Sequence, residues 1–410
     1  MKDYVIAIDL GSGYIKAGLG FYSNNEIEIL AISEVPSYGI RYGLINNTQK
    51  ASESIRSAIE NLNRITNFEK FEYLPVVVGI NGKGIFTAKS SNGMISIRNN
   101  KPIDENDIKR VIEQAKVGAV IPSEHEIIYV HPNSFIVDNH KNIKNPIGMF
   151  GRRLEVEAYI VSVEILMLKN IKMVLNSAGI SDAQIYLNAI AQKYGFLDED
   201  EHSEGVIIID IGKQLTTLTL WNGDALNYLA VYEQGLSFVI DEISRDTLIS
   251  KKTCENVLKS INIPNMYQLD YEDLEIEIMD ERKNQVVRLS SRRISSIILD
   301  VISAIFTRIQ SDIEKTGFLK SVPTPSIYLT GGIAEIKGIE QIAENIFNLP
   351  VYIGKISLKV NDKSYLSPRY ITLAGLIKLY FESPKDKISK VENNKSFLSR
   401  LFGKLKEMME

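Results

Sequence analysis

The sequence predicts an α/β fold made of two duplicated lobes, with an insertion in each lobe and an amphipathic helix at the C-terminal end. Three observations predict it. A buried strand ends in an Asp-x-Gly turn twice, at Asp9 and at Asp210, about half of the 410-residue chain apart. Each turn leads into a second strand, which is typical of an internal repeat. Each half also has a stretch between its strands that is long enough to form an extra subdomain.

Composition and charge exclude several classes of protein. The chain is 44% apolar and 24% charged, like an ordinary globular protein, and its net charge of -4 disfavours a protein that grips nucleic acid with its whole surface. Cys254 is the one cysteine and the four histidines are scattered, which disfavours disulfide, zinc and redox chemistry. We find neither an apolar run of the ~18 residues that span a bilayer nor a signal peptide. We therefore expect a cytosolic protein without nucleic-acid partners.

The first half begins with a strand-turn-strand unit, followed by a helix and another strand. Alternating or β-branched apolar residues predict strands, and apolar residues at i, i+3 and i+4 predict helices. On this basis the strands are 4–8, 14–19 and 76–80 and the helix is 49–62. Residues 82–162 start with a Gly-rich turn and are interpreted as an inserted α+β subdomain. Its expected elements are a helix over 105–117 and strands over 127–130 and 135–137, and a helix near 163–178 follows.

The second half repeats the strand-turn-strand unit, over 206–211 and 217–221. Residues 241–305 are the second insertion. Isoleucines and valines from Ile294 to Ile313 keep helical spacing and stop at Gly317, which predicts a long core helix. The last expected elements are a strand over 326–329 and a helix over 338–347.

Three glycine turns predict a nucleotide site in a cleft between the lobes. A triphosphate needs backbone N–H groups at close range, which requires glycine, and a strand-end carboxylate that organises the waters around Mg²⁺. Asp9-Leu10-Gly11-Ser12-Gly13 with Lys16 offers these groups, and Asp210-Ile211-Gly212 and Thr330-Gly331-Gly332 repeat the pattern. A single turn of this kind is also explained as a tight hairpin with a capping Asp.

In this order and spacing, the three turns resemble the phosphate-1, phosphate-2 and adenosine motifs of the superfamily of actin, sugar kinases and heat-shock chaperone ATPases. Finer features resemble the FtsA family of bacterial cell-division proteins, from residue 4 to about 382. They are Gly39-Ile40-Arg41-Tyr42-Gly43-Leu44-Ile45, Ile143-Lys144-Asn145-Pro146-Ile147-Gly148-Met149 with Gly151-Arg152-Arg153-Leu154, Leu197-Asp198-Glu199-Asp200-Glu201, and Tyr370-Ile371-Thr372-Leu373-Ala374-Gly375-Leu376. The Asn-Pro-Ile-Gly stretch is the most specific, because it lies in the inserted subdomain.

The resemblance implies an actin-like fold of four subdomains and a tail. The ranges are 1–81 and 163–195 for subdomain 1A, 82–162 for the inserted 1C, 196–240 and 306–382 for 2A, 241–305 for 2B, 383–395 for a flexible linker and 396–410 for a membrane-targeting helix. The implied function is to tether filaments of the tubulin-like protein FtsZ to the cytoplasmic face of the cell membrane at the division site. Anionic lipids, other division proteins and further copies of the chain are the other implied partners.

The resemblance also implies ATP and Mg²⁺ as cofactors. By motif match, Asp9, Gly11, Ser12, Gly13 and Lys16 line the β- and γ-phosphates, Asp210 and Gly212 line the opposite wall, and Gly331 and Gly332 line the adenosine. Mg²⁺ would be held through Asp9 and Asp210 when nucleotide binds, and no direct metal ligand or catalytic residue is assigned.

The chain departs from the family in the second phosphate turn. The family usually has two glycines, a hydroxyl residue and then an Asp there, and this chain has Lys213, Gln214, Leu215 and Thr217. Side chains in place of glycine obstruct backbone approach to phosphate, although the Lys213 ammonium offers a compensating cation. In the long helix, Ser296 aligns with an acidic residue that the family places near the sugar and base. We therefore expect a weakened ATP site and at most a slow ATPase.

The tail has the pattern of a basic amphipathic helix. Residues 383–410 hold seven Lys and Arg against four Asp and Glu, and 383–395 are polar without periodicity. Apolar residues then follow helical spacing: Phe397, Leu398, Leu401, Phe402, Leu405, Met408 and Met409. The basic residues on or beside the polar face suit anionic lipids: Arg400, Lys404 and Lys406. The alternative is a terminal helix that docks on its own body.

Three arginines in 2B are candidate contacts for the acidic C-terminal peptide of the tubulin-like protein. Arg288, Arg292 and Arg293 precede the long helix, and guanidinium groups pair well with carboxylates. A solvated basic turn is the alternative interpretation.

Two other functions fit part of the sequence. A sugar or acetate kinase of the same superfamily needs an Asp base and an intact second phosphate turn, so the altered Gly212-Lys213-Gln214-Leu215 argues against it. An FtsA-like pilus-assembly protein shares the inserted subdomain but recruits a peptide from a membrane partner, so the tail argues against it.

Overall fold

The described residues form two lobes, each built on a mixed sheet covered by helices. A computed structural model describes residues 3–69, 71–97, 101–196, 205–261, 273–280, 282 and 284–382. The predicted α/β fold of two lobes is confirmed. The Leu197–Glu201 motif, the linker and the C-terminal helix lie outside the described residues.

The first lobe opens with a three-stranded antiparallel unit. Its elements up to the insertion are β1 (Asp3–Leu10), β2 (Tyr14–Ser23), β3 (Glu26–Pro36), β4 (Ile40–Arg41), β5 (Leu44–Ile45), α1 (Thr48–Thr66) and β6 (Val76–Ile80). β4 and β5 form a short hairpin whose two turn residues, Tyr42 and Gly43, both have positive φ, as a type I′ turn requires. This hairpin lies beside the cleft described below.

The insertion forms its own sheet and core. Its elements are β7 (Ile85–Ser96), α2 (Glu105–Val117), β8 (His125–Val137), β9 (His140–Ile143) and β10 (Arg153–Glu164). The strand order is β7-β10-β8-β9, and α2 packs against β7 and β10. The two short strands that the sequence predicts near 127–137 are one continuous strand, β8, and the helix expected from 163 begins after β10 instead.

The chain then returns to the first lobe and crosses to the second through three elements: α3 (Ile165–Ser177), β11 (Gln184–Leu187) and α4 (Asn188–Phe196). The second lobe contains β12 (Val206–Ile211), β13 (Thr216–Asn222), β14 (Ala225–Tyr232), α5 (Leu236–Thr247), α6 (Lys251–Ser260), β15 (Glu275–Asp280), β16 (Gln285–Ser290), α7 (Ser291–Thr316), α8 (Phe318–Ser321), β17 (Ser326–Gly331), α9 (Ile339–Phe347) and β18 (Val351–Ile353). The last elements are β19 (Lys359–Val360) and α10 (Ile371–Glu382).

The two large sheets share one topology, so the predicted duplication is present in the fold. The strand order is β11-β6-β1-β2-β3-β19 in the first sheet and β18-β17-β12-β13-β14 in the second. In each sheet the first strand of the repeat pairs antiparallel with the next strand and parallel with a later one. Asp9 and Asp210 therefore stand at equivalent strand ends.

The long helix α7 is a core helix, as its isoleucine spacing predicts. Ile294, Ile298, Ile302 and Ile305 are buried in the core of the second lobe, and Gly317 ends the helix in the left-handed conformation. By length and composition alone, α7 is the one helix of the described residues that could cross a membrane. Burial of one face of α7 in the core of the second lobe also explains this apolar composition.

The C-terminal part of the predicted subdomain 2A belongs to the first lobe, which corrects the assigned range 306–382. β19 pairs with β3, and α10 packs against α4 and β1. Glycines permit this packing: a Cβ at Gly18 or Gly20 of β2 would lie 2.5 and 2.4 Å from α10 side chains. Hydropathy alone does not show which lobe an apolar helix covers.

Candidate functional site

The three glycine turns meet at one cavity between the lobes. β1, β12 and β17 end there, and the cavity has a volume of about 180 Å³. Every residue that the sequence proposes for nucleotide contributes to its lining: Asp9, Gly11, Ser12, Gly13, Lys16, Asp210, Gly212, Lys213, Gly331 and Gly332. This volume is below the ~300 Å³ at the lower end of small-molecule sites.

The first turn presents a buried carboxylate that is already paired. Asp9 Oδ2 accepts a hydrogen bond from Lys16 Nζ at 3.2 Å, and Asp9 Oδ1 accepts one from Asn188 Nδ2 at 2.8 Å. Lys16 Nζ also donates to the carbonyl oxygen of Arg369 at 2.8 Å. The Lys16 ammonium is thus held at the base of the cavity by the first turn and by the segment before α10.

Asn188 of α4 also lines this base, and Gln192 lies one helical turn further along α4; neither residue was predicted from the sequence. Asn188 and Gln192 are buried, and Asn188 Oδ1 and Gln192 Oε1 have no hydrogen-bond partner within the described structure. Gln192 Nε2 donates to Thr372 Oγ1 at 3.3 Å. The signal in the sequence is a pair of amides at i and i+4 in an otherwise apolar segment, which puts both on one helix face.

The second carboxylate faces the first across the cavity. Asp210 Oδ1 accepts a hydrogen bond from Thr330 Oγ1 at 3.2 Å. Burial raises the pKa of Asp210, and the nearby Asp9 carboxylate raises it further, whereas the Lys16 ammonium opposes the rise. Like charges in a poorly solvated space explain this direction. The pair of carboxylates favours a cation or a donor between them.

The third turn needs glycine for two reasons. Gly331 has φ 78° and ψ -162°, a backbone region that is essentially restricted to glycine. A Cβ at this position would also lie 2.4 Å from Asp210 Oδ1. The third turn therefore packs directly on the carboxylate of the second.

The substituted side chains of the second turn take directions that the sequence did not reveal. Lys213 lines the cavity, but its Nζ lies 2.7 Å from Glu255 Oε1 of α6, so the ammonium is paired within the protein. Gln214 does not line the cavity, and its Oε1 accepts a hydrogen bond from Tyr42 N at 2.9 Å. Gln214 therefore does not crowd the space for phosphate, which corrects the expectation that both residues do.

The expected position of Ser296 near the sugar and base is wrong. Ser296 is exposed on α7 and does not line the cavity. The carboxylate on this wall is Glu255, beside the apolar side chains of Leu258 and Ile240.

Arg369 bridges the lobes at the rim of the cavity. Its guanidinium lies 2.9 Å from Glu34 Oε1 in β3 and 3.7 Å from Glu335 Oε2, which follows the third turn. It also lies 5.3 Å from the centre of the Tyr14 ring, within range of a cation–π contact. Local sequence pattern does not reveal this role of Arg369, because its partners Glu34 and Glu335 are far apart in the chain.

The three arginines proposed for a partner peptide are exposed: Arg288 lies in β16, and Arg292 and Arg293 lie in the first turn of α7. Arg288 Nε lies 2.9 Å from Glu277 Oε1 on the paired strand, and Arg293 Nε lies 2.6 Å from Asp246 Oδ2. Asp273 Oδ1 accepts a hydrogen bond from Arg292 N. A partner carboxylate would have to exchange with these surface ion pairs, which are individually weak.

Within the described residues, no group of three or more His, Cys, Asp or Glu side chains is placed to hold a metal ion. The oxygens of Asp9, Asp210 and Asn188 line the cavity and fit a hydrated Mg²⁺, which prefers oxygen ligands and keeps several waters. Asn188 Oδ1, which has no hydrogen-bond partner within the described residues, is a suitable acceptor for such a water.

Two family models match the chain. Residues 85–162 match the model described as "SHS2 domain inserted in FTSA", and residues 207–375 match the model described as "Cell division protein FtsA". The first match covers the inserted subdomain, and the second covers most of the second lobe and the return to the first.

Proteins similar over nearly the whole chain bear the name cell division protein FtsA. One from Borreliella burgdorferi is 29% identical over 411 residues, which covers 99% of this chain and 98% of that protein. One from Bacillus subtilis is 27% identical, with 95% of this chain and 89% of that protein covered. One from Escherichia coli is 23% identical, with 95% and 93% covered.

Solved structures show the same fold at low identity. The PilM–PilN type IV pilus biogenesis complex has a TM-score of 0.65 at 14% identity and covers 91% of this chain and 97% of that one. MreB 5 of Spiroplasma citri bound to AMPPNP has a TM-score of 0.51 at 16% identity, with 91% and 94% covered. The chain therefore has an actin-like fold.

Proposed function

Because the chain belongs to the FtsA family of bacterial cell-division proteins, we propose that it tethers filaments of the tubulin-like protein FtsZ to the cytoplasmic face of the cell membrane. The observation that carries this proposal is the inserted subdomain, whose sequence matches the FtsA insertion. The amphipathic pattern of 396–410 supplies the membrane end.

The tail can supply enough binding energy for a reversible anchor. A 15-residue helix is marginal in water, and Gly403 costs roughly 1 kcal/mol more, so helix formation is coupled to binding. Seven large apolar side chains at ~1.5–3 kcal/mol each give a gross gain on the order of 10 kcal/mol, reduced by partial insertion. Basic residues add ~1 kcal/mol each on an anionic leaflet. Insertion exceeds the ordering cost.

Vesicle flotation with matched variants tests the anchor. Leu401→Glu with Phe402→Glu places two charges on the apolar face, and Ser396→Glu with Ser399→Glu adds the same charge elsewhere on the helix. We expect the first variant to lose flotation with phosphatidylglycerol vesicles while it still co-sediments with FtsZ filaments. The second variant should keep most of its flotation. Equal flotation of the first variant and the unaltered chain would rule out the anchor.

For the filament end, we propose that Arg288, Arg292 and Arg293 receive the acidic C-terminal peptide of FtsZ. Support comes from the exposure of all three side chains at the end of β16 and the start of α7. Arg288 and Arg293 are each paired with an acidic residue on the surface. Because surface pairs of this kind contribute only ~0–1 kcal/mol, exchange for a peptide carboxylate costs little.

For the cleft, we propose weak binding of ATP with Mg²⁺ and at most slow hydrolysis. The carboxylates, the glycine turns and the Asn188 amide support binding of a hydrated cation and phosphate. The small cavity and the Lys213–Glu255 ion pair oppose it. Titration calorimetry with ATP and Mg²⁺, followed by a phosphate-release assay, measures both properties. Self-assembly into actin-like filaments is a further proposal, tested by sedimentation with and without ATP.

A further inference from the structure

The side chains that replace the usual residues of the second turn contact the first lobe directly. Gln214 and Thr217 lie on either side of the start of β13, and Lys213 precedes them in the turn. Each makes a contact that crosses the cleft. We call these three contacts the latch: Gln214 with Tyr42, Thr217 with Asn81, and Lys213 with Gly13.

The Gln214 contact satisfies a backbone group in a constrained hairpin. Tyr42 has φ 50° at the tip of the β4–β5 hairpin, and its N–H donates to Gln214 Oε1 at 2.9 Å. Gly43 follows at φ 76°, and a Cβ there would lie 1.9 Å from the carbonyl oxygen of Asn81. The hairpin therefore packs against the backbone of Asn81 on one side and is hydrogen-bonded to the second lobe on the other.

The Thr217 contact lies next to it. Asn81 Nδ2 donates to Thr217 Oγ1 at 2.7 Å, and Asn81 Oδ1 accepts a hydrogen bond from Gly82 N at 3.0 Å. Thr217 is buried, so water competes poorly for this bond. An Asp at position 217 would place a charge at this buried contact instead.

The Lys213 contact joins three segments. A Cβ at Gly13 would lie 2.9 Å from both Cβ and Cδ of Lys213, so the lysine stem lies flat on the first turn. Its ammonium reaches Glu255 of α6 at 2.7 Å. The stem covers the first lobe while the charge is neutralised by the second.

We propose that the latch holds the two lobes closed without nucleotide. A polyphosphate bound by glycine turns of both lobes would connect the lobes through its own charge. Here three side chains, two from the second turn and one from the start of β13, connect them instead. A ligand shifts a conformational equilibrium only by its differential affinity for the two states. Since the closed state is already favoured, ATP has little closure to drive. The inference rests on the proposed function only in taking the cleft as the nucleotide site.

Hydrogen exchange of the unaltered full-length chain gives the direct test. The amide of Tyr42 is itself the donor in the latch, so peptides that cover 40–45 report its state. We expect this segment to be protected without nucleotide, and we expect saturating ATP and Mg²⁺ to change its exchange rate less than twofold. A large slowing of exchange by ATP in the unaltered chain would overturn the proposal.

Two variants of similar size separate the hydrogen bond from packing. Gln214→Leu removes the acceptor and Gln214→Glu keeps one. We expect Gln214→Leu to raise the exchange rate of residues 40–45 about tenfold, which corresponds to the loss of ~1.4 kcal/mol for one hydrogen bond. We expect ATP to reverse part of this rise. Gln214→Glu should exchange close to the unaltered rate.

Equal exchange rates over residues 40–45 in Gln214→Leu and in the unaltered chain would also overturn the proposal. Circular dichroism and the fluorescence of Trp221 check that each variant is folded. If Gln214→Leu does not fold, the comparison of the unaltered chain with and without ATP still decides. Neither readout involves vesicles or FtsZ, so failure of the latch and failure of the tethering function are distinguishable.

Discussion

Replacing Gly331 by alanine tests whether the third turn is shaped by its contact with Asp210. Gly331 combines φ 78° with ψ -162°, and a Cβ there would lie 2.4 Å from Asp210 Oδ1 and 2.8 Å from the carbonyl oxygen of Ile211. Ile211 is also the register partner of Gly331 between β12 and β17, so it cannot move away without disturbing the sheet.

The expected cost has three contributions. The backbone region contributes ~1–3 kcal/mol of strain. Overlap with a packed neighbour contributes a further ~1–3 kcal/mol. Displacement of Asp210 breaks its hydrogen bond with Thr330, which adds ~1 kcal/mol or more. Together they lower the free energy of unfolding by roughly 3–7 kcal/mol.

Gly317→Ala is the matched control. Gly317 also has positive φ, at 71° with ψ 8°, and a Cβ there would meet nothing within 4 Å. Its substitution costs only the left-handed strain of ~1–2 kcal/mol. Urea unfolding followed by Trp221 fluorescence measures both variants, because Trp221 is the single tryptophan and is buried in β13 of the same sheet.

The two variants should differ clearly in their unfolding midpoints, by on the order of 1 M urea for m-values of ~1–3 kcal/mol/M. Midpoints that agree within error would refute the reasoning. They would mean that the clash with Asp210 is relieved without cost and that only the backbone conformation matters.

Three further predictions concern the cleft, the arginines and acid stability. Lys213→Gly with Glu255→Gln removes the ion pair without leaving a lone carboxylate beside the phosphates. We expect the ATP affinity measured by calorimetry to rise about tenfold, or ~1.4 kcal/mol. Tight ATP binding and rapid turnover by the unaltered chain would contradict this prediction. Replacing Arg288, Arg292 and Arg293 with Glu should abolish co-sedimentation with FtsZ filaments. Normal co-sedimentation of this variant would show that the site lies elsewhere. Burial lowers the pKa of His131 to about 3 in the folded protein. In the unfolded chain the same imidazole has a pKa of ~6.5, so below that pH the unfolded state takes up a proton that the folded state does not. The free energy of unfolding therefore falls by about 2 kcal/mol between pH 8 and pH 5. His131→Phe should be less sensitive over this range, and an equal pH slope in both proteins would refute that assignment.

The sequence by itself determined the features that follow from local pattern. The isoleucine spacing of α7, its stop at Gly317 and the three strand-turn units all depend on periodicity and on glycine, which act within a few residues. The ten residues proposed for the cleft line one cavity for the same reason, since equivalent strand ends of a duplicated fold meet at one place.

Only the tertiary structure decided where the side chains of the second turn point. Lys213 pairs with Glu255, and Gln214 turns away from the cavity to Tyr42, which lies 172 positions earlier. The return of α10 to the first lobe is likewise invisible in its own apolar residues, because it depends on the space beside Gly18 and Gly20. Local pattern fixes an element and its buried face, whereas the partner of that face is chosen by packing between distant segments.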